Sequence, residues 1–179
     1  SGSLTSLNLS ANIGYKNRAQ GPAFAAAIAE GLKANGSLTE CNVRGNKLDS
    51  ESATLLAKVA GEKRIMLFGI KHDQTTANFM GQVLGPVDAI LIASDLLVSG
   101  SLTSLSLGDN NLGDEGVEAL SIGLKDSKSL ATLDLSNSPF QRLTKFGSKG
   151  ATALASAIAV MPSLTQVLAF PLHSKCVHV

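Results

Sequence analysis

Residues Gly2-Ser3-Leu4-Thr5-Ser6-Leu7-Asn8-Leu9 return as Gly100-Ser101-Leu102-Thr103-Ser104-Leu105-Ser106-Leu107, identical at seven of eight positions. Partial copies appear as Gly36-Ser37-Leu38-Thr39, Ser129-Leu130 and Ser163-Leu164-Thr165. Self-similarity at this period constrains the fold more than any other feature. Each unit is a small supersecondary element that cannot bury its apolar face alone, so a core forms only by stacking units.

The unit reads L-x-x-L-x-L-x-x-N-x-L. It is clearest at Leu102, Leu105, Leu107, Asn110 and Leu112, and again at Leu38, Cys41, Val43, Asn46 and Leu48. Leu4, Leu7, Leu9, Asn12 and Ile13 fit with an irregular end, and Leu130, Leu133 and Leu135 fit with Ser138 in the Asn slot. The spacing predicts a further copy at Ile65, Phe68 and Ile70, with Asp73 and Thr75 in the last two slots. A sixth begins at Leu164 and Val167. The three apolar slots belong to a short strand with one face inward. The Asn side chain is suited to bonding backbone groups of neighbouring turns in a dry interior. Between strands, Val117, Leu120 and Leu124 recur at helical spacing, and Asp114 is expected to cap that helix over 115–125. Pro22 and Pro86 each follow a glycine and suit a helix start.

These blocks, with the Asn-Asn-Leu-Gly-Asp-Glu-Gly run at 110–116 and the helix endings Glu30-Gly31-Leu32-Lys33 and Gly123-Leu124-Lys125, resemble the leucine-rich repeat family and its ribonuclease-inhibitor-like class. The resemblance implies an α/β solenoid of five to six repeats, with parallel strands on a concave face and helices on a convex face. It covers a domain over 1–170, with repeats starting near 4, 38, 65, 102, 130 and 164, and leaves a C-terminal tail over 171–179. First-slot spacings are 34, 27, 37, 28 and 34 residues, so alternate repeats carry insertions, expected over 14–20, 76–84 and 139–149.

A net charge of +1 gives no general affinity for nucleic acid or anionic lipid. The apolar run 89–93 is flanked by Asp88 and Asp95 and too short to span a membrane. Two cysteines make no disulfide framework. Cys41 occupies a leucine slot and is expected to be buried and inert. This usage favours a reducing, intracellular compartment, with the cytoplasm preferred. The chain opens inside a repeat, which points to a fragment or subunit whose ends meet a neighbouring domain or subunit. No catalytic constellation, cofactor motif or metal-ligand spacing is present, and the lone His72 reads as structural.

The expected function is therefore non-enzymatic protein binding, as an interaction scaffold, with a partner of acidic character. Two surfaces compete. The insertion edge gathers scarce aromatics beside cations: Tyr15, Lys16, Arg18, Phe79, Phe140, Arg142, Lys145 and Phe146. The strand face is blander, with Glu40, Arg44, Lys71 and Asp134 its best polar group and Met66 and Leu67 also expected outward. In the third helical segment, Val87, Ile90, Leu91, Ser94 and Leu97 are expected inward, and Ile92 and Val98 outward. The resemblance also implies two alternative roles: a GTPase-activating regulator using Arg18, Arg44 or Arg142, or the sensing array of an innate-type receptor.

Overall fold

A computed structural model describes residues 3–13, 20–137 and 146–169. Strands and helices alternate along the chain. They are β1 (Ser6–Asn8), α1 (Gly21–Ala34), β2 (Glu40–Asn42), α2 (Ser50–Lys63), β3 (Thr76–Asn78), α3 (Pro86–Val98), β4 (Ser104–Ser106), α4 (Gly113–Asp126), β5 (Thr132–Asp134), α5 (Ser148–Ile158) and β6 (Gln166–Leu168). All pairings are parallel, β1 with β2 and β3 through β6 in chain order. Each helix packs on the next, α1 on α2 through α4 on α5. The result is an α/β repeat fold in which strands of successive units pair in parallel, except between β2 and β3.

The recurring letters have physical reasons. Leu38, Cys41, Val43, Leu102, Leu105, Leu107, Leu130, Leu133 and Leu135 are all buried, each worth about 1.5–3 kcal/mol if fully removed from water. In the Ser-Leu-Thr blocks, the Ser37, Ser129 and Ser163 hydroxyls donate to the carbonyls of Leu4, Leu102 and Leu130 in the preceding unit. Thr39, Thr103 and Thr165 donate to Thr5, Thr75 and Ala131 in the same way. The Asn slots form a ladder. Asn46 Nδ2 donates to the Leu9 and Val43 carbonyls, and its Oδ1 accepts from Asn12 and Ile13 N–H. Asn110 does the same for Phe79, Leu107 and Leu84.

The third unit departs from the expected copy. The strand that pairs with β4 is Thr76–Asn78, with Ala77 opposite Leu105. Its register puts Gln74, Ala77, Phe79, Gln82 and Leu84 in the repeat slots, not Ile65, Phe68, Ile70, Asp73 and Thr75. The backbone agrees. The residue before the Asn slot has positive φ in each of four units: Ala11, Gly45, Gly81 and Asp109. The extra residues thus precede the strand, over 65–75, and the expected insertion at 76–84 is strand and turn. Met66 forms a single bridge to Glu40, and Leu67 O accepts from Val43 N–H. The chain then turns away, because buried Asp95 on α3 accepts from Leu67 N–H (2.5 Å) and Phe68 N–H (2.9 Å). Ile65, Phe68 and Ile70 are buried as their spacing predicts, but around this turn.

The helices also correct two expectations. Asp114 does not cap its own helix, whose N-cap is Leu112. Its Oδ1 accepts from Gly147 N–H (2.6 Å) and Gly150 N–H (2.7 Å), at the start of α5. On α3, Ile92 and Val98 are buried while Leu97 is exposed. Helices on both flanks cover the side that a lone amphipathic helix leaves to solvent. Pro86 opens α3 and Pro22 lies in the first turn of α1, as expected.

Candidate functional site

Alternation along β2 puts Cys41 in the core and Glu40 and Asn42 on the opposite face. Arg44 continues that outward row. Its guanidinium lies 5.1 Å from the Phe68 ring centroid and 5.6 Å from that of Phe79. The two rings meet edge to face, with centroids 5.1 Å apart at 85°. Phe68 reaches this place from the turn that Asp95 holds, and Phe79 from the residue after β3. Gln82 Oε1 accepts a hydrogen bond from Arg44, fixing the guanidinium further. Cation–π contacts of this kind contribute about 0.5–2 kcal/mol.

Among the described residues, no acidic side chain forms an ion pair with Arg44. Among the described residues, the ion pairs are Lys33–Glu30 and Lys149–Glu118. Arg44 is therefore a positioned cation that feels the Asp88 carboxyl across the adjoining cleft but has no direct ion pair among the described residues. A planar guanidinium held on aromatic rings is prepared for a two-point bond to a carboxylate.

Beside it opens a cleft of about 430 Å³, between the turn after β2 and the turn entering α3. Arg44 and Lys47 stand on one wall and Gln82 and Asp88 on the other. It lies where the Asn ladder is interrupted. Gln82 is exposed and donates to Asn78 O instead of inserting between turns. Burial pushes the Asp88 carboxyl above its ordinary value, against the pull of Gly85 N–H and of Arg44 and Lys47. Its Oδ2 accepts from Gly85 N–H at 2.8 Å, which anchors the start of α3.

The other strand-face candidates do not converge on this point. Glu40 accepts from Ser6 Oγ at 3.1 Å. Asp134 accepts from Ser106 Oγ (3.2 Å) and Ser136 N–H (2.8 Å), serving its own neighbourhood. Lys71 is exposed on the loop before β3. Met66 and Leu67, expected outward, are buried beneath the turn. Of the insertion-edge candidates, Phe79 and Phe146 are half-buried and pack on the core. Tyr15, Lys16, Arg18, Phe140, Arg142 and Lys145 lie outside the described residues. Cys41 is buried, and desolvation pushes its thiol up to about 11. His72 Nε2 sits 3.2 Å from Thr39 O and is half-buried. Sequence reasoning missed Phe68 and Gln82 as neighbours of Arg44. Gly45-Asn46-x-Leu48 beside Gly81-Gln82-x-Leu84 was the available signal.

Repeated strand–turn–helix units with parallel pairing define an α/β repeat protein that presents a surface. Residues 99–121, spanning β4 and the first nine residues of α4, match the family model described as the leucine rich repeat. Over that segment the chain is similar to the leucine-rich repeat. A search of curated proteins found no match. Such domains generally mediate protein–protein interaction. No helix among the described residues is long and apolar enough to cross a membrane.

Proposed function

We propose that this chain is a non-enzymatic protein-binding module whose partner presents acidic side chains to the strand face at Arg44. The observation that carries this reading is the guanidinium held by Phe68, Phe79 and Gln82 without a direct ion pair among the described residues. Arginine and aromatic residues dominate binding energy where they are packed and pre-positioned. The Phe146, Tyr15, Lys16, Arg18, Phe140, Arg142 and Lys145 set forms a second proposed contact, at the unit edge.

We further infer that the units of a domain over 1–170 stack as a curved solenoid of five to six repeats in the ribonuclease-inhibitor-like class. The alternation of strand and helix through the first five units, with helices packed on helices and strands on strands, supports it. A buried, unpaired Cys41 suits an intracellular, reducing location.

Affinity capture from the native source tests the binding reading. Wild type, Arg44→Glu and a Tyr15/Arg18/Phe140/Arg142→Ala variant serve as baits. A stoichiometric partner lost with Arg44→Glu and kept by the edge variant supports the strand face. Loss only with the edge variant moves the site to that edge. Capture of nothing by wild type removes the reading.

A further inference from the structure

The helix layer carries an apolar groove unrelated to Arg44. Helix α3, Pro-Val-Asp-Ala-Ile-Leu-Ile-Ala-Ser-Asp-Leu-Leu-Val, has apolar residues on nearly every side. A helix of this composition is normally covered all round. Strands lie beneath it and α2 and α4 flank it, yet Ile90, Ala93 and Leu97 line an outward groove of about 490 Å³. Leu97 is 44% exposed, and Ile122 on the α4 bank is 64% exposed. The exposed residues of α1 and α5 are small or polar, chiefly alanines with Glu30 and Lys33 on one and Lys149, Thr152 and Ser156 on the other, and include no large aliphatic side chain.

The groove is charged at opposite corners. Ser94 Oγ donates to Ala57 O, which places Lys58 beside the C-terminal half of α3. Gly116 packs against Pro86 and Ala89, which places Glu115 beside the N-terminal half on the other bank. Lys58 and Glu115 are exposed, and neither forms an ion pair among the described residues. Glu118 is engaged by Lys149.

We propose that this groove is a self-association surface whose occupant is a second copy of the chain. An isologous contact requires a patch that is its own complement. A twofold axis running diagonally across the groove seats Leu97 and Ile122 of the two copies together. The same axis brings Lys58 of each copy to Glu115 of the other. The apolar centre supplies affinity, and the two symmetric charge pairs set the orientation.

Sedimentation velocity of the 179-residue chain across a wide concentration range tests the proposal. Wild type shifts from monomer to dimer as concentration rises. Ile122→Asp, at a mostly exposed position, remains monomeric with an unchanged circular dichroism spectrum. Lys58→Glu and Glu115→Lys each weaken the dimer by about tenfold, because the symmetry applies each change twice. Mixing these two variants restores a heterodimer of wild-type affinity, since every pair is again opposite in sign. A wild type that stays monomeric, a dimer indifferent to Ile122→Asp, or no recovery on mixing overturns the proposal. So does a monomeric wild type whose groove variants lose a heterologous partner, which assigns the groove to that partner instead.

Discussion

Asn46 and Asn110 are buried amides whose donors and acceptors are spent on backbone groups of two successive units. Removing one strands several buried carbonyls and N–H groups at once. Asn110→Ala is expected to cost about 2–4 kcal/mol in urea unfolding, whereas Gln82→Ala, at the exposed slot, costs less than about 0.5 kcal/mol. Asp95 behaves differently because it titrates. Burial pushes its carboxyl from 3.8 up to about 7, against the lowering effect of the Leu67, Phe68 and Ile70 N–H groups. A folded-state value above the unfolded one means that the folded state holds the proton more tightly between pH 4 and 7, roughly. The contribution of this group is therefore fully present below about pH 4, declines as pH rises to about 7, and is constant above that. Asp95→Asn should lower stability overall and remove that slope. An unchanged slope in the variant would assign it to other groups.

Close helix packing and capping act at the scale of elements. A Cβ on Gly123 lies 2.4 Å from the Ala93 carbonyl oxygen, so α4 approaches α3 only because that position has no side chain. Gly123→Ala is expected to destabilise by about 3 kcal/mol despite its better helix propensity, as read by thermal unfolding. Asp114→Ala, which removes the acceptor at the start of α5, should cost about 1–2 kcal/mol. The strand units were legible where a leucine fills each apolar slot, as at 102, 105 and 107. The third unit was not, because its inward strand residue is Ala77 and its Asn slot holds Gln82. The apolar spacing at 65, 68 and 70 matched the repeat better than the true strand did. That spacing reports burial, and burial around an Asp95-held turn looks the same in sequence as burial in a strand. Asp114 was identified as a capping residue but assigned to the wrong helix, since sequence distance favours the nearer N-terminus.

For the whole molecule, the interruption at the third unit builds the surroundings of Arg44. The turn at 67–70 brings Phe68 under Arg44, β3 supplies Phe79, and the missing Asn opens a cleft beside them. Arg44 itself was legible as the best strand-face candidate, and so was Phe79, although at the unit edge. Their meeting was not, because it depends on a register that only the backbone reveals. The proposed role of this constellation is to select carboxylates. Panning a random peptide library against the chain, in parallel with Arg44→Glu, tests it most directly. Wild type is expected to enrich peptides bearing Asp or Glu, and Arg44→Glu to lose them in favour of Lys and Arg. Selection without an acidic bias, or selection unchanged by the charge reversal, would contradict it.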